Sequence, residues 1–166
     1  MAASQKPGGL PLGLAWRDIW VLGLLALLAA GTALLQSRQV ALASQLARHD
    51  TDIRQIIASQ IEAFRRDDGP AAFAFASPDL RAQFIVAPHF MAMIRAHYRP
   101  VYKAQKITFD GPAKAIQQSP EMRVQKVFLT DDRGTGHNAR YTMQKQPDGS
   151  WKIAGCLLLQ SGLVDI

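Results

Sequence analysis

The first pattern along the chain is an uninterrupted apolar run. Ile19 to Ser37 carries no charged side chain, and its centre reads Leu-Leu-Ala-Leu-Leu-Ala-Ala. Wound as a helix rising 1.5 Å per residue, it spans roughly 28 Å, about the thickness of a bilayer's hydrocarbon core. Trp16 and Trp20 stand at its N-terminal edge, where amphipathic indoles favour the headgroup layer, and Asp18 and Arg38 bracket it. The pattern predicts a transmembrane helix over 19–37. Before it lies an unstructured tail over 1–18, and after it a polar, Ala-rich linker or helical extension over 38–50.

A different period begins near residue 50. Ile53, Ile56, Ile57, Ile61 and Phe64 recur at helical spacing and form one apolar stripe. Asp50 and Thr51 are N-cap candidates for that helix, and Gly69-Pro70 ends it. The run Arg65-Arg66-Asp67-Asp68 is mixed in sign and reads as a solvated helix end. Three shorter helices follow, each opened by a proline at a first helical position: Pro70, Pro78 behind a Ser77 cap, and Pro88. Beyond Arg99-Pro100 the period falls to two. Ile107/Phe109, Val127/Leu129 and Tyr141/Met143 alternate with polar neighbours, and Trp151, Ile153, Leu157 and Leu159 share one parity. Asp131-Asp132-Arg133-Gly134 and Pro147-Asp148-Gly149-Ser150 read as the turns between the last three strands. Helices first and antiparallel strands afterwards predict a single α+β domain over 51–162, its helices covering one face of the sheet.

Charge and cysteine content narrow the classes open to that domain. The chain's net charge is +6, but from His49 onward 15 Lys/Arg face 12 Asp/Glu, too thin an excess for a nucleic-acid binder. The one cysteine, Cys156, excludes an internal disulfide and sits among Ile153, Leu157 and Leu158, the setting of a packed core thiol. The fate of the apolar run divides two ways. A retained anchor is favoured by its length, its long leader and the position of Arg38. Ala41-Leu42-Ala43 has the small-x-small form of a signal-peptidase site, which keeps secretion after cleavage near Ala43 as the alternative. Charges flanking the run orient it weakly, with the domain expected on the periplasmic or extracytoplasmic side.

Several stretches are familiar in combination. They are Phe64-Arg65-Arg66-Asp67-Asp68, Ala72-Phe73-Ala74-Phe75-Ala76-Ser77-Pro78, Tyr98-x-Pro100-Val101-Tyr102 and Gln146-Pro147-Asp148-Gly149-Ser150-Trp151. Together they make residues 53–159 resemble an uncharacterised bacterial family of domains of unknown function, which is similar in turn to the nuclear transport factor 2-like superfamily. The resemblance implies a strongly curved antiparallel sheet wrapped around helices, a cone with an internal pocket. The superfamily holds isomerases, hydratases, small hydrolases and noncatalytic binding or dimerising modules, so fold does not choose function. The family supplies no catalytic residues to carry over. Val86-Ala87-Pro88-His89 departs from it where a polar, acidic helix cap is expected.

Chemistry-bearing residues are few and scattered. His49, His89, His97 and His137 form no i,i+4 pair, and no metal or phosphate-loop motif occurs, so neither a metal nor another cofactor is expected. The one constellation with catalytic potential is His97, Tyr98, Tyr102 and Asp110, around the passage from the last helix into the sheet. There His97 or Asp110 would be a general base and a tyrosine hydroxyl would steady an enolate or oxyanion. The bland reading has the tyrosines packing, His97 partly exposed and Asp110 at a turn before Gly111-Pro112. Lysines and arginines beyond Pro100 suit either a solvated sheet or contact with anionic lipid. The leading expectation is a noncatalytic, membrane-tethered module that binds an apolar small molecule or a protein, homodimerisation included. A cofactor-independent isomerase or hydrolase is the alternative, and a subunit of an envelope complex, anchored through Gly31-Thr32-Ala33, is a third reading.

Overall fold

A computed structural model describes residues 16–159, with side chains described from Gly31 onward except at residues 33 and 34. Residues 1–15 of the tail expected over 1–18, and most side chains of the apolar run, therefore lie outside the described residues, while residues 16–18 are helical. Among those described, no helix is long and apolar enough to cross a membrane. The chain divides into two compact units, Met1–Gln45 and Leu46–Ile166. Helix α1 (Trp16–Arg65) supplies the described part of the first. That unit's described side chains are exposed, Leu35, Val40 and Leu42 among them.

In the second unit, Ile53, Ile57, Ile61 and Phe64 of α1 are fully buried, as the stripe predicts. Asp50 and Thr51 do not start a helix, because α1 runs through both. The Thr51 hydroxyl instead donates to the Ala47 carbonyl at 3.0 Å, and the Asp50 carboxylate accepts from the Ala113 N–H at 2.9 Å. Past the end of α1, Asp67 takes a left-handed φ of 56°. Asp68 then caps α2 (Gly69–Ala74) by accepting from Ala71 N–H, and Ser77 caps α3 (Pro78–Phe84) through Leu80 N–H. Helix α4 (Ala87–His97) starts at Val86 without a side-chain cap. A further turn, α5 (Arg99–Tyr102), stands where the alternation had placed the approach to the strands. Pro100 opens it, by the same rule that located α2 to α4.

Strands β1 (Lys106–Ile116), β2 (Ser119–Thr130), β3 (Gly136–Lys145) and β4 (Trp151–Leu159) form one antiparallel sheet in that order. Asp131 accepts from the N–H groups of Arg133 and Thr135 in the β2–β3 turn, and Asp148 accepts from Ser150 in the β3–β4 turn. Val127, Leu129, Tyr141, Met143, Trp151 and Ile153 are buried with the α1 stripe and with Phe90, Met91 and Ile94 of α4 in one core. The architecture is α+β, with its helices on one face of the sheet.

Two bulges decide what the sheet presents. In β1 the register steps from Asp110↔Lys126 to Lys114↔Val124, so Gly111, Pro112 and Ala113 together oppose Gln125. The segment read as a turn is thus a bulge within a strand, with Gly111 at φ 62° and Pro112 on an edge strand. Its freed backbone groups find partners inside. Gln125 Nε2 and Arg54 Nη2 donate to the Gly111 carbonyl at 3.2 and 2.8 Å, and Asp50 receives Ala113 N–H. In β4 the register steps from Thr142↔Gly155 to Met143↔Ile153, leaving Ala154 unpaired. That extra residue reverses the parity. Leu157 and Leu159, expected beside Trp151 and Ile153, are 50% and 37% exposed, and Cys156 and Leu158 pack against the core instead.

Candidate functional site

The aromatic side chains of the helices do not close fully onto the far end of the sheet. A cavity of about 390 Å³ remains between them. Phe90 of α4 organises its helical wall, with its ring centroid 6.0 Å from Phe64, 5.4 Å from Phe73 and 5.4 Å, edge to face, from Phe84. Met93, Ile94 and Tyr98 continue that wall. The sheet wall is Tyr141 of β3 and Ile153 to Cys156 of β4. The Ala154 bulge brings two small residues, Ala154 and Gly155, to the cavity and turns Cys156 toward the core.

The polar side chains bordering this space are Gln60, Gln83, Tyr98, Tyr141 and Cys156. Gln60 is buried and donates from Nε2 to the Ala72 carbonyl at 3.1 Å. Tyr141 is fully buried; its hydroxyl makes no hydrogen bond of good geometry, and its polar neighbour is the Cys156 thiol, a weak partner. Register sets it opposite Cys156. Burial pushes the Cys156 thiol up to about 12 and the Tyr141 phenol well above its ordinary range, so both keep their protons at neutral pH. A buried hydroxyl with only a weak thiol partner gains from a stronger acceptor on a ligand. A wider, more open groove of about 480 Å³ runs past Glu62, Arg65 and Phe75. Its charged groups are engaged with one another, Arg65 and Arg66 reaching Glu62 at 3.2 and 3.4 Å.

The four residues singled out from the sequence separate. His97 is exposed at the end of α4, and Tyr98 borders the cavity. The short α5 carries Tyr102 away, and its hydroxyl donates to Asp67 Oδ1 at 2.9 Å beside the Arg95 Nη2 contact at 2.6 Å. The Arg95 guanidinium first, and the Tyr102 hydroxyl second, hold the Asp67 carboxyl below its usual range. The charge run before α2 is accordingly a set of tertiary ties rather than a free helix end, since Arg65 Nε also donates to the Ala104 carbonyl at 2.7 Å. Strand alternation points Asp110 outward, opposite Lys126 on the face away from the core. Of the four, Tyr98 alone borders the cavity.

The other histidines have separate partners. His49 Nδ1 accepts from Trp151 Nε1 at 3.3 Å, His137 Nε2 meets Asp131 at 2.9 Å, and His89 is exposed. Among the described residues, no group of three His, Cys, Asp or Glu side chains is placed to hold a metal ion. The cavity residues that sequence reasoning missed are Gln60 and Tyr141, together with the inward turn of Cys156. Nothing local announces the bulge that pairs the last two.

Fold and cavity define the chain's class as a small α+β domain with a helix-covered antiparallel sheet and an apolar pocket between its layers. The chain belongs to the family described as "Domain of unknown function (DUF4864)", whose model matches residues 46–165. No curated protein and no solved structure matches it.

Proposed function

We propose that the chain is a membrane-tethered, noncatalytic module whose cavity holds a small, largely apolar molecule bearing a hydrogen-bond acceptor. The observation that carries this reading is the cavity of about 390 Å³ walled by Phe64, Phe84, Phe90 and Ile94, with the buried Tyr141 hydroxyl, met only by the weak Cys156 thiol, in its sheet wall. Enclosed, mostly apolar spaces with a few orienting polar groups are the usual form of small-molecule sites. The protonation state of the wall supports binding over catalysis. A thiol held near 12 is a poor nucleophile, and a phenol held above its range is a donor rather than a base. Kinship with the nuclear transport factor 2-like superfamily is part of the same proposal, supported by helices on one sheet face and by two bulges that bend the sheet's edges.

The tether is supported by the uncharged run Ile19–Ser37 with its flanking tryptophans, and by exposed Leu35, Val40 and Leu42 in the first unit. On this reading the domain stands outside the cytoplasm. Carbonate extraction of cells expressing the full chain tests the tether: the protein is expected in the membrane pellet at its full mass. Release of a shortened chain into the supernatant would replace the anchor with a cleaved signal. The cavity is tested with Leu80→Trp, which places an indole at its border. The variant is expected to fold and to lose at least tenfold in affinity for whatever the wild-type chain retains.

A further inference from the structure

The face of the sheet turned away from the helices carries a second surface, independent of the cavity. Cross-strand register lays Asp110, Lys126, Arg140 and Leu157 side by side across all four strands. In the adjoining row, Phe128 and Leu159 flank Asn138. Lys126 and Arg140 are exposed and form no ion pair, and Asp110 is the one carboxylate in the two rows. Phe128 is 44% exposed and Leu157 50%. Lysines on an edge strand are explained by protection against strand addition, but β2 and β3 are the central strands of this sheet. Two grooves, of about 450 and 380 Å³, meet along Asp110 and Lys126, and Arg140 borders the first while Phe128 and Leu159 border the second.

We propose that this face docks onto a phospholipid bilayer containing anionic lipid. Two unpaired cations interspersed with an aromatic ring and two leucines match the chemistry of such an interface. Lysine and arginine meet headgroup phosphates, while the apolar side chains enter the boundary with the acyl chains. A second copy of the chain is a poorer occupant, because pairing through this face would gather four cations, Lys126 and Arg140 from each copy, around two carboxylates. A nucleic acid would use the cations and leave the apolar side chains wet.

The test uses the full chain carrying Asn138→Cys labelled with an environment-sensitive fluorophore. Vesicles of phosphatidylcholine are compared with vesicles of phosphatidylcholine and phosphatidylglycerol. An insertion of residues 19–37 occurs in both, so only the face distinguishes them. The label is expected to shift to the blue with the anionic vesicles alone, and to return as salt is raised. Lys126→Glu and Arg140→Glu, with Lys126→Ala and Arg140→Ala as milder partners, should each lower the ratio of docked to undocked face about fivefold or more. A label equally wet in both vesicles overturns the proposal. So does a blue shift that depends on protein concentration rather than lipid charge, which would assign the face to a second copy.

Discussion

At the scale of single residues, His49 and Asp131 give the fold a pH dependence with a definite sign. Burial first, and the Lys145 and Arg123 charges next, lower the His49 pKa below 6.5, so the folded state favours the neutral ring that accepts from Trp151. Its contribution is fully present above the unfolded value and is lost as pH falls from about 6.5 through the folded one. Thermal melts of the full chain should therefore drop as pH goes from 7 to about 5, and His49→Gln should flatten that slope. Asp131 acts lower on the scale. Its bond to His137 leads the causes that hold it below the usual carboxylate value, so its contribution survives above that value and is lost as pH falls through its folded pKa. Ile85 is a separate case. At φ 64° and ψ −52°, with Val86 N–H on the Phe84 carbonyl, it centres a γ-turn of the strained sign while 81% exposed. Ile85→Gly should raise stability by about 1 kcal/mol in urea titration, and a loss would remove the strain argument.

At the scale of elements, the bulges matter more than the strands they interrupt. Deleting Ala154 would join Ile153 directly to Gly155 and restore a regular β4 with the same cross-strand pairs, Cys156 and Leu158 still facing inward. The deletion is expected to keep cooperative unfolding, read by near-ultraviolet circular dichroism, and loss of the native aromatic signal would show that the bulge itself is required. The point substitution Phe90→Ala should cost about 3–5 kcal/mol and likewise keep the transition cooperative. Separation along the chain explains what the sequence made legible. The α1 stripe, the proline-opened helices, the four strands and the two Asp-anchored turns each depend on residues within a few positions of one another. The bulges do not. Gly111 looks like a turn residue until Asp50 and Arg54, some 60 positions earlier, are seen to hold its loop against the core. Tyr98 was legible as a cavity residue because it ends a periodic helix. Tyr102 and Asp110 were misgrouped with it because a single turn of α5 and the outward parity of β1 separate residues that are close in sequence.

At the scale of the whole molecule, the account rests on a cavity that the fold leaves open between its layers. An unfilled space of this size, beside a buried hydroxyl with only a weak thiol partner, has a cost in lost contacts that a bound molecule would relieve. The direct measurement is native mass spectrometry of the full chain, extracted without denaturant, beside its Leu80→Trp variant. The account predicts a reproducible adduct of one small molecule on the wild-type chain and its loss from the variant, with the same folded charge-state distribution. A clean unliganded mass for the wild-type chain, or an adduct that persists in the variant, would contradict it.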